Sequence, residues 1–105
     1  MAVIFPHKIK KHNYLFRFYP CGGYFEIDIL TQPAYGKRYA NGDKTHRVPS
    51  GRIDNLNSMN GKPVWKICFG DPNIIKTLAD AEKWAKVWAK LTTDYILNGT
   101  EFPNE

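Results

Sequence analysis

Cationic and aromatic residues are interleaved between positions 34 and 48, and their types point to contact with a polyanion. Ammonium and guanidinium groups neutralise phosphates, flat rings stack on bases, and a two-stranded ribbon fits the major groove of a duplex. Basic residues at 10–11 and at 52 are expected nearby. Because Lys and Arg are common on protein surfaces, an ordinary solvated hairpin is the alternative. The candidate contact residues are Lys10, Lys11, Lys37, Arg38, Tyr39, Lys44, His46, Arg47 and Arg52.

The distribution of charge agrees with this hypothesis. The 105-residue sequence carries a net charge of +5 at pH 7. Residues 1–66 hold eleven Lys or Arg against four Asp or Glu, whereas residues 67–105 hold four against six. A positive face is therefore expected on the N-terminal part of the chain, and it would attract either nucleic acid or an acidic protein surface.

Glu26 and Asp28 form a second candidate group, a pair of carboxylates on one face of a strand. Two such groups can bind a divalent cation or divide the roles of acid and base. No third ligand has a defined spacing, and strand faces that meet water commonly carry acids. We therefore expect a water-exposed pair without a metal.

Neither the cysteines nor the histidines form a recognisable site. Cys21 and Cys68 adjoin strand-like segments and are expected to be buried, reduced thiols. The histidines at positions 7, 12 and 46 lack zinc-ligand spacing, and no glycine-rich phosphate loop occurs. A nucleophilic cysteine would need a histidine base that the sequence does not place. The sequence predicts a non-enzymatic protein with neither metal nor cofactor.

The segment from Thr77 to Leu97 predicts the long helix on which the rest of the chain is organised. Its apolar residues recur at the i, i+3, i+4, i+7 spacing of an amphipathic helix. Thr77 and Asp80 match a capping box, and Asn98-Gly99 matches a left-handed C-cap. The stripe expected to face a sheet consists of Ala81, Trp84, Trp88, Leu91 and Tyr95.

Alternating segments predict the sheet that this helix covers. Residues 14–19 and 24–31 should form an antiparallel hairpin, and residues 63–69 a further strand. Residues 1–6 predict an edge strand, and residues 7–13 a basic connector. The apolar face expected beneath the helix consists of Phe25, Ile27, Ile29, Trp65, Ile67 and Phe69.

The segment with most of the candidate contact residues is expected to project into solvent as a hairpin. Asn41-Gly42 is a strong turn signal because both residues tolerate positive φ. Neither face of the resulting ribbon is strongly apolar, whether its loop has two residues or three. Residues 49–61 are polar and predict a long loop, which is a frequent location of function.

These patterns predict one α+β domain over residues 1–105. A twisted antiparallel sheet of four or five hairpin-connected strands, within residues 1–70, packs against one long C-terminal helix at 77–97. The tail at 100–105 is expected to fray, with Phe102 tucked back. No signal peptide or membrane-length apolar run is evident, so a cytoplasmic location is expected.

Two functional hypotheses follow. The first is a small, basic, non-enzymatic protein that binds nucleic acid through its ribbon and sheet face. The second is a protein-interaction module, such as a phage or mobile-element inhibitor or adaptor, that binds a nucleic-acid-handling protein. The sequence does not distinguish DNA from RNA as the partner. It also leaves the oligomeric state open, and a homodimer is one of the alternatives.

Overall fold

The computed structural model describes residues 2–40, 44–54 and 61–103. Within these residues the chain forms five strands, a short 3-10 helix and one long α-helix, which confirms the predicted α+β class. In chain order the elements are β1 (Val3–Ile9), β2 (His12–Pro20), β3 (Phe25–Thr31), β4 (Arg47–Asp54), β5 (Lys62–Ile67), the 3-10 helix (Pro72–Ile74) and α1 (Leu78–Asn98). Across this part of the chain, no helix combines the length and the apolar character needed to cross a membrane.

The strands form an antiparallel sheet in the order β1-β2-β3-β5-β4. The predicted hairpin between β2 and β3 is confirmed, and Phe16 lies opposite Ile29 in its ladder. Ile29 in turn lies opposite Trp65 of β5. Because directly opposed residues share a face, these three side chains form one apolar row across the middle of the sheet.

The helix α1 begins and ends where the sequence predicts. The Asp80 N–H donates to the Thr77 hydroxyl at 3.0 Å, and the Thr77 N–H donates to the Asp80 carboxylate at 3.1 Å, which completes the capping box. Gly99 ends the helix with φ of 73°, a left-handed conformation that costs little without a Cβ atom.

Trp88 connects α1 to the sheet. Its side chain is 3% exposed, and its ring stands edge-on to Tyr14 and to Phe16, with each pair of centroids 6.0 Å apart. Edge-to-face packing of this kind is favoured beyond the burial of area alone. The buried cluster around it consists of Tyr14, Phe16, Phe18, Ile27, Ile29, Ile67, Ile75, Ala81, Ala85, Trp88 and Ala89.

The predicted helical stripe is confirmed in part. Ala81, Trp88 and Tyr95 are buried, whereas Trp84 and Leu91 are only partly buried. The sheet face beneath the helix includes three aromatic residues of β2 in addition to the β3 and β5 residues predicted from the sequence. The helix therefore packs over the centre of the sheet, not only over β3 and β5.

The two edge strands differ from the prediction. Most of the predicted connector at 7–13 belongs to β1 and β2, which leaves Lys10 and Lys11 as the turn. Residues 49–54 of the predicted loop belong to β4, and residues 55–60 lie outside the described residues. Edge strands pair on one side only and are partly solvated, so they tolerate a polar sequence without clean apolar alternation.

Replacing Trp88 with Ala should lower the free energy of unfolding by about 3–5 kcal/mol, because it removes a large buried ring and leaves a cavity. Urea denaturation followed by circular dichroism measures the change. Val87, 38% exposed on the same helix, is the matched control, and Val87→Ala should alter stability by less than about 1 kcal/mol. Equal losses for the two variants would contradict this account of the core.

Candidate nucleic-acid interface

The described parts of the segment 34–46 lie against the C-terminal half of α1, so the predicted projecting ribbon is wrong. Its described residues, 34–40 and 44–46, contain no strand, and the predicted turn at Asn41-Gly42 lies outside the described residues. Tyr35 and Thr45 are buried, and their hydroxyl oxygens are 2.6 Å apart in a hydrogen bond. The segment therefore contributes buried side chains at the edge of the hydrophobic core.

Polar groups of α1 hold this segment in place. The Trp88 indole N–H donates to the Thr45 carbonyl at 2.6 Å, and the Tyr95 hydroxyl donates to the Tyr39 carbonyl at 2.7 Å. Buried indole and phenol donors need acceptors, and backbone carbonyls of the segment supply them. The Tyr39 side chain itself remains 59% exposed.

Arg38 caps the C-terminal end of α1. Its guanidinium donates to the carbonyls of Ile96 at 3.2 Å and Leu97 at 3.3 Å. Carbonyls in the last turn lack a helical partner and carry partial negative charge, so a cation stabilises them. Although Arg38 is exposed, its guanidinium is held at the helix end.

Arg47 lies between two aromatic rings. Its guanidinium carbon is 4.8 Å from the Tyr35 ring centroid and 4.2 Å from that of Trp65. The same group donates to the Gln32 side-chain oxygen at 3.0 Å and to the Ala40 carbonyl at 3.1 Å. Burial lowers the pKa of Arg47, and no carboxylate within the described ranges forms a salt bridge with it.

Glu26 and Asp28 belong to a cluster of ion pairs, so the prediction of a water-exposed acidic pair is wrong. Asp28 is 0% exposed and accepts hydrogen bonds from Arg17 at 3.0 Å and from Arg52 at 2.7 and 2.8 Å. Glu26 accepts from Arg52 at 2.6 Å and from Lys66 at 2.7 Å. β4 brings Arg52 to β3 from a distant part of the sequence, which the alternation within β3 does not show.

Hydrogen bonds join the members of this ionic cluster (Arg17, Glu26, Asp28, Arg52 and Lys66). Burial raises the pKa of Glu26, but hydrogen bonds from Lys66 and Arg52 outweigh burial and hold that pKa below its usual value. Hydrogen bonds to Asp28 are the main reason that the pKa of Arg52 is raised. Arg52 also lies over the Tyr19 ring, 4.4 Å from its centroid. These contacts hold the Arg52 guanidinium within the fold.

Four lysines converge on one end of the molecule, here called the lysine end. Lys10 and Lys11 form the β1–β2 turn, Lys37 follows β3, and Lys62 begins β5. The antiparallel order of β2, β3 and β5 brings these positions to the same end, where α1 also finishes. All four are exposed, and none forms a salt bridge with a described residue.

The lysine end includes one residue that the sequence interpretation missed. Lys62 was not among the candidates, yet the antiparallel pairing of β5 with β3 places it there. Because the residues before Pro63 are polar, the sequence pattern did not indicate that β5 begins at Lys62. Lys44, another candidate, is exposed next to the buried Thr45.

His46 lies at a different surface, a mostly apolar cavity of about 280 Å³ between α1, the end of β5 and the C-terminal tail. Its ring packs on Phe102, with centroids 5.1 Å apart, and Phe102 is partly buried, as expected. The partly buried Trp84 and the exposed Cys68 line the same cavity. His46 is thus positioned by apolar contacts.

Neither cysteine thiol forms a hydrogen bond with a histidine among the described residues. Both are free, and neither is fully buried, so the prediction of buried thiols is wrong. Burial raises the pKa of Cys21, and the negative charge of Glu26 adds to that effect, which disfavours the thiolate. The Cys68 N–H donates to the His46 carbonyl at 2.8 Å, a contact that involves neither thiol nor imidazole.

Among the described side chains, no group of three His, Cys, Asp or Glu is arranged to hold a metal ion. Comparison of the chain with protein families, with curated proteins and with solved structures finds no match. The geometry of its own residues is therefore the basis for a functional proposal.

Replacing Arg52 with Ala should lower the free energy of unfolding by at least about 2 kcal/mol, because Asp28 would lose a partner while staying buried. Thermal and urea denaturation measure the loss. Lys90→Ala is the matched control, since Lys90 pairs with Asp94 at 2.6 Å but is 65% exposed. That exposed pair should contribute less than about 1 kcal/mol. If Arg52→Ala lowers the free energy of unfolding no more than Lys90→Ala does, the ionic cluster does not stabilise the fold.

The lowered pKa of Glu26 also predicts a pH dependence of stability. A carboxylate whose pKa is lower in the folded state stabilises the fold above its unfolded-state pKa. That contribution is lost as the pH falls through the folded-state pKa. The difference in unfolding free energy between wild type and Glu26→Gln should therefore shrink as the pH falls from neutrality into the acid range. A difference independent of pH would contradict this assignment, and Asp94→Asn, at a partly buried carboxylate that pairs with Lys90, is the control.

Proposed function

We propose that the protein binds nucleic acid through its lysine end, without catalysis and with little dependence on base sequence. One observation carries the proposal: all four arginines make intramolecular contacts, whereas the lysines of this end are exposed and unpaired among the described residues. Exposed ammonium groups concentrated at one end attract phosphates and release their counterions.

The division between arginine and lysine bears on specificity. Guanidinium groups read guanine through two parallel hydrogen bonds, whereas an ammonium group acts as a point charge. Arg47 and Arg52 are held by partners within the fold, and Arg38 is held at the end of α1. Contacts from Lys10, Lys11 and Lys37 would position a phosphate backbone without identifying its bases.

The proposed compartment is the cytoplasm. Cys21 and Cys68 are both free in the structure, and a reducing compartment would keep them so. Nucleic acid is available there as a partner.

The cavity beside α1 supports a second candidate function, the protein-interaction module. A partner with an acidic surface would face the lysines and insert one apolar side chain beside Trp84. The cavity wall carries no Lys, Arg, Asp or Glu, and most of its lining is apolar, which suits an apolar side chain better than a phosphate. Nucleic acid remains the favoured partner because none of the four lysines of the lysine end lines this cavity.

Replacing Lys10, Lys11 and Lys37 together with Gln should weaken nucleic-acid binding while leaving the melting temperature nearly unchanged, because exposed lysines bury little. The loss should be similar for unrelated sequences. The slope of log affinity against log salt should flatten by about 0.7 per lost contact for a single strand or about 0.9 for a duplex. Fluorescence anisotropy at several salt concentrations measures both quantities.

The matched control is the triple variant Lys76→Gln, Lys83→Gln and Lys86→Gln. It removes the same charge from exposed residues before α1 and in its first half. Equal weakening by both variants would mean that net charge, not the lysine end, governs binding. Normal nucleic-acid binding by the first variant would exclude the lysine end, and loss of binding to a protein partner instead would support the second candidate.

A further inference from the structure

The strands β3 and β5 separate at the lysine end and leave a cleft between them. Their ladder contains Asp28–Lys66 and Ile29–Trp65 and does not continue toward the end of β3. The next two pairs would be Leu30–Val64 and Thr31–Pro63, and Pro63 has no N–H to donate. The resulting cleft has a volume of about 340 Å³.

The cleft contains a cation without a carboxylate partner. Its lining includes Arg47, Lys62 and Asp54. Asp54 and Lys62 lie opposite each other in the β4–β5 ladder and bring one negative and one positive charge to the lining. With Arg47 included, the charged residues of the lining sum to one positive charge. The Nε atom of Arg47 is buried and has no hydrogen-bond partner among the described atoms. A bound anion would compensate this charge more fully than the two aromatic faces do.

Arg47 differs in this respect from the other arginines. Arg17 and Arg52 share the carboxylate of Asp28, and Arg38 meets the negative end of a helix. A half-buried cation with only neutral partners costs free energy, and such a group in a cleft is a candidate binding site.

We propose that this cleft receives one nucleotide of a single strand. The proposal rests on the proposed function and names its substrate class as single-stranded nucleic acid. One phosphodiester carries one negative charge, which matches the excess at Arg47. The strand backbones at 30–32 and 62–64 have no ladder partners across the cleft, so they provide donors and acceptors for a base edge. Duplex bases are stacked and paired, so they cannot enter without being flipped out.

Two variants test the cleft independently of the lysine end. Thr31→Trp places a large ring at an exposed position of the lining without changing charge. Arg47→Met removes the cation but keeps an apolar stem between the two rings. Thr100→Trp, at an exposed position in the tail, is the control for an added surface aromatic. The melting temperature of each variant identifies any that fails to fold.

Fluorescence anisotropy with a short oligothymidine and with a duplex of the same length gives the decisive comparison. Wild type should prefer the single strand, and both cleft variants should bind it about tenfold more weakly while binding the duplex as before. An oligothymidine carrying 5-iodouracil should crosslink to Trp65 or its neighbours in wild type and not in Thr31→Trp.

The outcomes separate this inference from the proposed function. Unchanged binding by folded cleft variants, or equal losses for single strand and duplex, would overturn the cleft and leave the lysine end intact. Crosslinks confined to other surfaces would also overturn it. Failure of wild type to bind either nucleic acid would overturn both proposals.

Discussion

The rest of the structure depends on the packing and hydrogen bonding of the Trp88 side chain. Its ring packs edge-on against Tyr14 and Phe16, which joins α1 to the centre of the sheet. Its indole N–H binds the Thr45 carbonyl, which attaches the segment 34–46 to the same helix. One residue therefore satisfies an apolar and a polar requirement at once, and its position fixes where the neighbouring basic residues lie.

That attachment determines which cations are available to a partner. Once the segment lies against α1, Arg38 reaches the last helical carbonyls and Arg47 lies between Tyr35 and Trp65. On the strands, Arg52 is held by carboxylates. Arginine suits these positions because its planar group forms several hydrogen bonds and stacks on rings. Lysine is strongly hydrated, which favours the exposed positions that it occupies at the lysine end.

The features that sequence predicted well are local ones. The caps of α1 depend on Thr77, Asp80 and Gly99, which lie beside the helix they end, and the β2–β3 hairpin joins neighbouring segments. A capping residue acts within a few residues of its partner, so the sequence displays both halves of the interaction. The α+β arrangement follows from those elements.

The features that sequence missed depend on residues far apart in the chain. Arg52 reaches Asp28 across 24 positions, and Trp88 reaches Thr45 across 43. A polar segment shows no apolar face, although tyrosine rings and backbone carbonyls can still bind a helix. The candidate lysines were visible as charges, but their convergence with Lys62 depends on strand order. Charge identifies candidates, and topology decides which of them meet.

The most direct test of the central claim is a titration of the wild-type protein with a single-stranded oligonucleotide across a range of salt concentrations. Phosphate contacts by the lysine end predict binding tighter than about 10⁻⁴ M at low salt, with a slope of log affinity against log salt of about −0.7 per contact. Absence of binding tighter than about 10⁻⁴ M would contradict the central claim, since that is the weak limit of ordinary non-specific association.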